Sequence, residues 1–294
     1  MSALRALSRR GRGLPGWVQR FARRALLDLG RVTARWRTRP DFLVIGAQRS
    51  GTTTLFRVLS QHPQVLRPTQ SKGVGYFDVE YHRGARWYAA HFPLRLTARL
   101  HGPATKTFES SGYYAFHPLA ARRIAADLPD VKVVMVVRDP VERAYSAHSH
   151  ELARGFESED FETALCLESE RTAGEADRLS RDEGYVSYAH RHHSYLARGR
   201  YVEQLERFGR HLDRDRIYVM DAHRFFDAPA EELARLLDWL GLPAWAPADV
   251  GQENARARAP MPAELRARLA DHFAPYDAAL EDWLGRPPSW RDPR

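Results

Sequence analysis

The sequence predicts a three-layer α/β fold, a central parallel sheet flanked by helices on both faces. Three observations carry this. Residues 42–45 (Phe-Leu-Val-Ile) and residues 131–137 are short runs without polar alternation, rich in β-branched side chains, as strands buried on both faces of a parallel sheet require. Each run ends in a polar turn, Gly46 to Gly51 and Arg138-Asp139-Pro140, and each turn leads into a helical pattern of apolar residues. Such strand–turn–helix units, repeated along a chain, place helices on the two sheet faces.

Before the first strand, residues 1–40 form a basic arm. They hold eleven arginines against one acid, Asp28, which leaves 34 basic and 36 acidic residues in 41–294. The net charge of +8 therefore belongs to the arm, and the body, at −2, lacks the basic face that nucleic-acid binding demands. Within the arm Trp17, Phe21, Ala25, Leu29, Val32 and Trp36 recur every three or four residues with arginines between, predicting a basic amphipathic helix. Its apolar face is expected to dock on the domain through the two tryptophans, the alternative being peripheral contact with an anionic membrane surface. The division is thus an arm, 1–40, and a single domain, 41–294.

Within the domain, the helix that opens at Thr52 is stopped by His62-Pro63, and a polar loop, 67–75, leads to Tyr76-Phe77-Asp78. A helical piece spans 83–91, a short strand Thr107-Phe108-Glu109, and a helix runs from His117-Pro118 to Leu128. After the 131–137 strand a helix begins at Val141, and the acid-rich stretch 157–183 is expected as a solvated excursion. A long helical pattern at 188–208 is interrupted at Gly199, a third strand covers 217–220, a helix covers 231–240 with Gly241 as its cap, and one or two helices at 263–284 close the chain. With one cysteine, Cys166, no internal disulfide is possible. No run approaches the ~18 apolar residues of a membrane span, and the first residues lack the apolar core of a secretory signal. A cytoplasmic location is expected, at the inner membrane surface if the arm binds lipid.

The chemistry concentrates at Gly46-Ala-Gln-Arg-Ser-Gly51-Thr-Thr-Thr54. A strand, a glycine loop and a helix N-terminus aim free backbone N–H groups and a helix dipole at one place, a site for an anion. The plain alternative is an ordinary strand-to-helix turn. The spacing Gly-x4-Gly matches a Walker loop, but Thr52 occupies the Walker lysine position and Arg49 lies three residues earlier. Transfer of a γ-phosphoryl group would lack its usual charge stabiliser. Asp139 could imitate a magnesium-binding aspartate, yet Arg138 beside it opposes a cation. In the second motif, Arg138 to Ser146, Arg143 and Ser146 share a helix face, so a guanidinium and a hydroxyl could grip a second phosphate. Two phosphate grips at neighbouring strand ends imply a nucleotide phosphorylated at both ends.

Residues 43–55 resemble the 5′-phosphosulfate loop of sulfotransferases that use 3′-phosphoadenosine 5′-phosphosulfate (PAPS), and Val-Val-Arg138-Asp-Pro-Val-Glu-Arg-Ala-Tyr-Ser146 resembles their 3′-phosphate motif. The likeness continues through Tyr76-Phe77-Asp78, Trp87-Tyr88, Phe92-Pro93, residues 109–118, Gly199-Arg-Tyr201 and Trp290, and is to the branch containing the heparan sulfate N- and O-sulfotransferases and bacterial relatives. It implies a P-loop-like fold, PAPS as co-substrate, no metal, and a carbohydrate or glycoconjugate acceptor. Arg49, where the family usually has Lys, would contact the phosphosulfate with Ser50, Gly51, Thr52, Thr53 and Thr54; Arg138 and Ser146 would hold the 3′-phosphate; Arg258 would close over the nucleotide or remain a solvated loop charge. His148, His150, His192 and His193 are expected as surface or helix residues and not as ligands.

Two acceptor-side positions depart from the resemblance. The family's general-base Glu corresponds to Gly73, preceded by Lys72, and its active-site Lys after Glu109 corresponds to Ser110. Asp78 and Glu109 are the remaining candidates for the base, and Lys72 for stabilising the leaving oxygen. Structural roles are open for both acids: Asp78 as a helix cap, Glu109 as partner of Arg143 or Lys106. Tyr76, Trp87, Tyr113 and Tyr114 are candidates to line a sugar cleft, with core packing the alternative for Trp87. Two rival functions remain at this stage, a P-loop kinase or hydrolase and a non-catalytic anion- or membrane-binding protein.

Overall fold

The computed structural model describes residues 15–247, 250–251 and 260–291. The arm forms helix α1 (Gly16–Val32). The domain continues β1 (Phe42–Gly46), α2 (Thr52–Leu59), β2 (Val65–Leu66), α3 (Ala85–Ala89), α4 (Arg95–His101), β3 (Lys106–Ser110), α5 (Ala120–Asp127), β4 (Lys132–Val137) and α6 (Pro140–Ala153). There follow α7 (Phe161–Thr172), α8 (Glu175–Arg181), α9 (Tyr188–His192), α10 (Tyr201–Gly209), β5 (Ile217–Asp221), α11 (Ala222–Asp227), α12 (Pro229–Leu240) and α13 (Ala263–Leu284).

The five strands form one parallel sheet in the order β2-β3-β1-β4-β5. Alternate strand residues divide between two cores. Leu43, Ile45, Val133, Met135 and Val137 pack with α3, α5 and α10, and Phe42, Val44, Val134 and Val136 pack with α2, α11 and α12. Both sheet faces are dry, which is why β1 and β4 read as continuous apolar runs. β1 lies between β3 and β4, so the connections on its two sides lead away in opposite directions and open a crevice at the carboxyl ends of the strands.

Four local expectations change. The 188–208 segment is two helices, α9 and α10, because the chain at Gly199 runs under Phe273 and Pro140, where a Cβ would lie 2.6 Å from the Phe273 ring. β2 and α4, too short for a periodic signal, add elements not expected. The acid-rich excursion is not merely solvated: Glu157 accepts from Tyr195 Oη and Arg171, and Glu168 accepts the backbone N–H groups of Tyr195, Leu196 and Ala197 at 2.6–2.9 Å. These buried acids fix the chain beside a third core of α6, α7 and α13.

The arm is the fourth change. It is held to the domain by Gly30, whose backbone lies so close to Ala90 that a Cβ would stand 2.7 Å from it. Arg37 adds bonds to the carbonyls of Ala90 and Phe92, and Gln70 donates to the Arg23 carbonyl. The expected docking face remains outside this contact, with Trp17, Phe21, Leu29, Val32 and Trp36 all exposed.

Candidate active site

The loop after β1 spans the crevice because both sides hold it. Ala47 N–H donates to Val136 O of β4 at 2.8 Å, and Ala115 N–H donates to Ile45 O at 2.9 Å. Gly51 caps α2 in the left-handed region (φ 93°), and Arg49, with φ 70°, adopts a conformation that non-glycine residues rarely take. Ser50, Thr52 and Thr54 are buried beneath the turn, and the first N–H groups of α2 lie at its mouth.

Arg49 Nε donates to Ser146 Oγ at 3.0 Å, so the loop and the second motif meet in one site. α6 presents Ser146 because Asp139 caps the helix, accepting from Val141 N–H at 2.8 Å and Glu142 N–H at 3.4 Å, with Pro140 in its first turn. Asp139 is thus a cap in this structure, and burial raises its pKa. Arg138, at the end of β4, is about one-third exposed and lies 3.5 Å from Glu142, while its carbonyl accepts from Tyr201 Oη at 2.8 Å. Arg143 does not take part in the grip. It is fully buried, donates to the Tyr195 carbonyl, and faces the Glu168 carboxylate from the core. The helix carries Ser146 to the loop while its arginine three residues earlier points inward.

Lys72 supplies the charge that the loop lacks. The Lys72 carbonyl accepts from Ser110 N–H at 3.0 Å, which lays this segment along the end of β3. From there Nζ donates to Thr52 Oγ1 at 2.9 Å and Thr53 Oγ1 at 3.1 Å. An amine from a distant segment therefore sits on the residue that stands in the Walker lysine position. Burial lowers its pKa to about 8. Gly73 is required by the same approach, since a Cβ there would stand 2.4 Å from the Ser110 carbonyl oxygen and 2.6 Å from Ser111 Oγ. The family's glutamate has no room at this position.

The two candidate bases separate sharply. Glu109 is fully buried, accepting from Tyr88 Oη and Tyr114 Oη through Oε1 (both 2.8 Å) and from Val74 N–H and Ser111 Oγ through Oε2 (2.6 and 2.8 Å). Both oxygens are committed, and neither Arg143 nor Lys106 is the partner. This corrects the expectation of Glu109 as base: it is the hub that ties the Lys72–Gly75 segment to β3. Asp78 accepts from its neighbour Val79 N–H at 2.6 Å, and burial raises its carboxyl to about 6, against the pull of Arg191 and Arg123. Burial raises both carboxyls, so the difference between them lies in the four donors that hold Glu109.

The aromatic expectation is likewise corrected. Tyr76, Trp87 and Tyr114 are buried in the core, Tyr76 stacked on Tyr88 at 4.5 Å between centroids, and only Tyr113 retains partial exposure. Tyr113 Oη pairs with His190 Nδ1 at 2.7 Å, and Arg198 lies over its ring. His148 and His150 lie on α6 and His192 on α9; His148 contacts Glu159 O at 2.8 Å and His193 contacts Phe156 O at 2.9 Å. Arg258 lies outside the described residues. Among the described residues, no group of three or more His, Cys, Asp or Glu is arranged to hold a metal ion.

One network escaped the sequence. Gln48, in the loop, donates to Glu151 Oε1 at 3.1 Å and accepts from Arg198, while His192 Nδ1 meets Glu151 Oε2 at 2.8 Å. These residues span 150 positions and share no local pattern.

A parallel sheet with a glycine loop at its switch point, a second basic motif in contact with it and a lysine over the helix start define an α/β protein with a basic site at the carboxyl ends of its strands. The family model for the sulfotransferase domain matches residues 39–256, and the chain belongs to that family. It is an enzyme of the sulfotransferase class. It is 28% identical over 83% of its length to a Caenorhabditis briggsae bifunctional heparan sulfate N-deacetylase/N-sulfotransferase 1, covering 30% of that protein. It is 27% identical over 85% of its length to mouse heparan sulfate glucosamine 3-O-sulfotransferase 3B1, covering 65% of it. The chain thus spans under two thirds of these relatives. A crystal structure of a sulfotransferase from Alicyclobacillus acidocaldarius superimposes with a TM-score of 0.65 at 27% identity, covering 87% of this chain and all of that one.

Proposed function

We propose that this sulfotransferase takes its sulfuryl group from PAPS and delivers it to a hydroxyl, with an amine as second choice, on a carbohydrate or glycoconjugate. The observation that carries the donor is the bond from Arg49 to Ser146, which joins the loop for a 5′-phosphosulfate to the motif for a 3′-phosphate. The carbohydrate acceptor rests on the heparan sulfate enzymes among the relatives. A cytoplasmic location is part of the same proposal.

In this reading Arg49, Lys72 and the first N–H groups of α2 surround the 5′-phosphosulfate, and Arg138 with Ser146 holds the 3′-phosphate. The acceptor oxygen forms a bond to sulfur as the bond from sulfur to the bridging oxygen breaks. The electron pair stays on the 5′-phosphate of the bisphosphate product, where Lys72 and Arg49 stabilise the growing charge. The acceptor proton passes to the Asp78 carboxylate, whose raised pKa suits proton uptake near neutrality.

A thermal-shift titration with adenosine 3′,5′-bisphosphate, AMP and ATP tests the donor. At 100 times its dissociation constant a ligand adds ~2.7 kcal/mol of stability. A shift with the bisphosphate well above those with AMP and ATP is expected. Equal shifts, or an ATP preference that needs magnesium, would overturn the proposal.

A further inference from the structure

We propose that α1 and the chain that follows it form an interfacial anchor that seats the protein on an anionic lipid surface. The inference stands apart from the donor and acceptor, because it rests on residues far from the strand ends. Trp17, Phe21, Leu29, Val32 and Trp36 are each between 50% and 75% exposed. At 3.6 residues per turn, Trp17, Phe21, Ala25 and Val32 fall on one side of α1. Arg23, Leu27 and Gly30, which meet the domain or lie half-buried, fall about 180° away. The helix is therefore fastened by its narrow side and presents its apolar row outward, the reverse of what an amphipathic helix does when the domain is its partner.

Further exposed apolar side chains lie beyond the helix. Arg37 bridges to Leu94, and Arg95 donates to the Arg37 carbonyl. Leu94 is exposed, as are Leu96 and Leu100, one turn apart on α4, with Arg95 and Arg99 beside them. Two elements thus contribute exposed apolar side chains around the same joint.

Charge selects the occupant. The arm holds eleven arginines and one acid, and that acid, Asp28, lies 3.4 Å from Arg31. Arg20, Arg24 and Arg31 are exposed to the side of the apolar row, and Arg35 is exposed just beyond the helix. A second copy would bring two arms of net charge +10 together, whereas anionic headgroups would neutralise them while the acyl boundary receives the apolar row. Tryptophan at both ends of the row suits the headgroup level, and arginine stems can lie along the apolar surface with their charge in the headgroup layer. Among the described residues no helix is long and apolar enough to cross a membrane, so the surface lies on the bilayer.

The test is co-sedimentation of the full chain with vesicles of phosphatidylcholine alone and of phosphatidylcholine with phosphatidylglycerol, for the wild type and the triple variant Trp17→Ser, Phe21→Ser, Val32→Ser. All three side chains are exposed, so the variant should keep its melting temperature, which is measured alongside. The wild type should pellet with the anionic vesicles and stay in solution with the neutral ones, and the variant should lose at least about tenfold in partitioning. Wild type that remains in solution with anionic vesicles would overturn the proposal, as would equal pelleting of the variant, which would make charge alone sufficient. A wild-type dimer without lipid that the triple variant turns into a monomer would assign the face to a second copy instead.

Discussion

The guanidinium of Arg49 donates through Nε to the hydroxyl of Ser146 at 3.0 Å, although the two residues belong to different strand–turn–helix units. β1 and β4 are neighbours in the sheet, so the turn after one and the helix after the other must share a crevice. The contact links two anion grips, and substitution can separate them. Arg138→Ala should reduce the thermal shift with adenosine 3′,5′-bisphosphate to that with AMP. The loss of charge-assisted bonds of about 1.5–3 kcal/mol corresponds to roughly ten- to a hundredfold in affinity. A retained preference for the bisphosphate would show that Arg138 does not read the 3′-phosphate.

Lys72 should make donor affinity depend on pH above neutrality. Its amine, lowered by burial to about 8, is charged below that pH in the free protein. A bound anion favours the charged form, so affinity for the bisphosphate should be highest below pH 8. It should fall above it by at most about tenfold per pH unit. Lys72→Met should bind more weakly at pH 7 and show a flat profile. For stability the sign is opposite: the folded pKa lies below the usual value of 10.5, so the cost of the buried charge is present below pH 8 and is relieved as pH rises toward 10.5. Calorimetry of both proteins from pH 7 to 10 checks both statements.

Asp78→Asn should trade activity for stability. The folded carboxyl, at about 6, lies above its usual value of 3.8, so folding disfavours the ionised form. The group's contribution is favourable in acid, is lost as pH rises through about 4 to 6, and remains lost above. A rise of about two pH units corresponds to about 3 kcal/mol, and asparagine can still accept from Val79 N–H. The variant should therefore melt higher at pH 7.5, with sulfuryl transfer down by about a hundredfold or more. The wild-type rate should fall as pH drops below 6. Unchanged turnover in Asp78→Asn would remove this residue from the chemistry.

Glu109→Ala should act through stability. It leaves Tyr88 Oη, Tyr114 Oη, Ser111 Oγ and Val74 N–H without their buried acceptor, at a cost of about 3–5 kcal/mol. The melting temperature should fall by roughly 10 °C, and bisphosphate binding should weaken with it, because the same carboxylate holds the segment that carries Lys72. A variant with unaltered melting and abolished turnover would return Glu109 to the list of bases.

Gly73→Glu, which places a carboxylate where the family resemblance implies one, should fail to raise activity. Its Cβ would stand 2.4 Å from the Ser110 carbonyl oxygen, so the Lys72 segment must move away from β3, at about 1–3 kcal/mol or more. Lys72 would leave Thr52 and Thr53 with it. Gly73→Ala should show the same loss of stability and weakened bisphosphate binding, because the clash begins at Cβ.

The parts of this site legible in the chain were those written in local chemistry. The runs at 42–45 and 131–137 can be buried only in strands, and Gly46 to Thr54 places glycine, arginine and hydroxyls where a strand meets a helix. Arg143 was misjudged because spacing on a helix gives a shared face but not which neighbour covers it; Tyr195 and the Glu168 region took it into the core. Glu109 and Asp78 looked equivalent as acids. Burial raises both, and four donors commit one of them.

The amino-acid order by itself determined the α/β class, the two anion motifs and the concentration of positive charge in the first forty residues. Each depends on contacts within a few positions, or on counting. The tertiary structure alone decided that Lys72 lies over Thr52, that Gly73 has no room for a side chain, and that the apolar row of α1 faces away from the domain. Those outcomes depend on which strands are neighbours and how closely their connections pass, and a parallel sheet brings together residues far apart in sequence without leaving a local signal of the pairing.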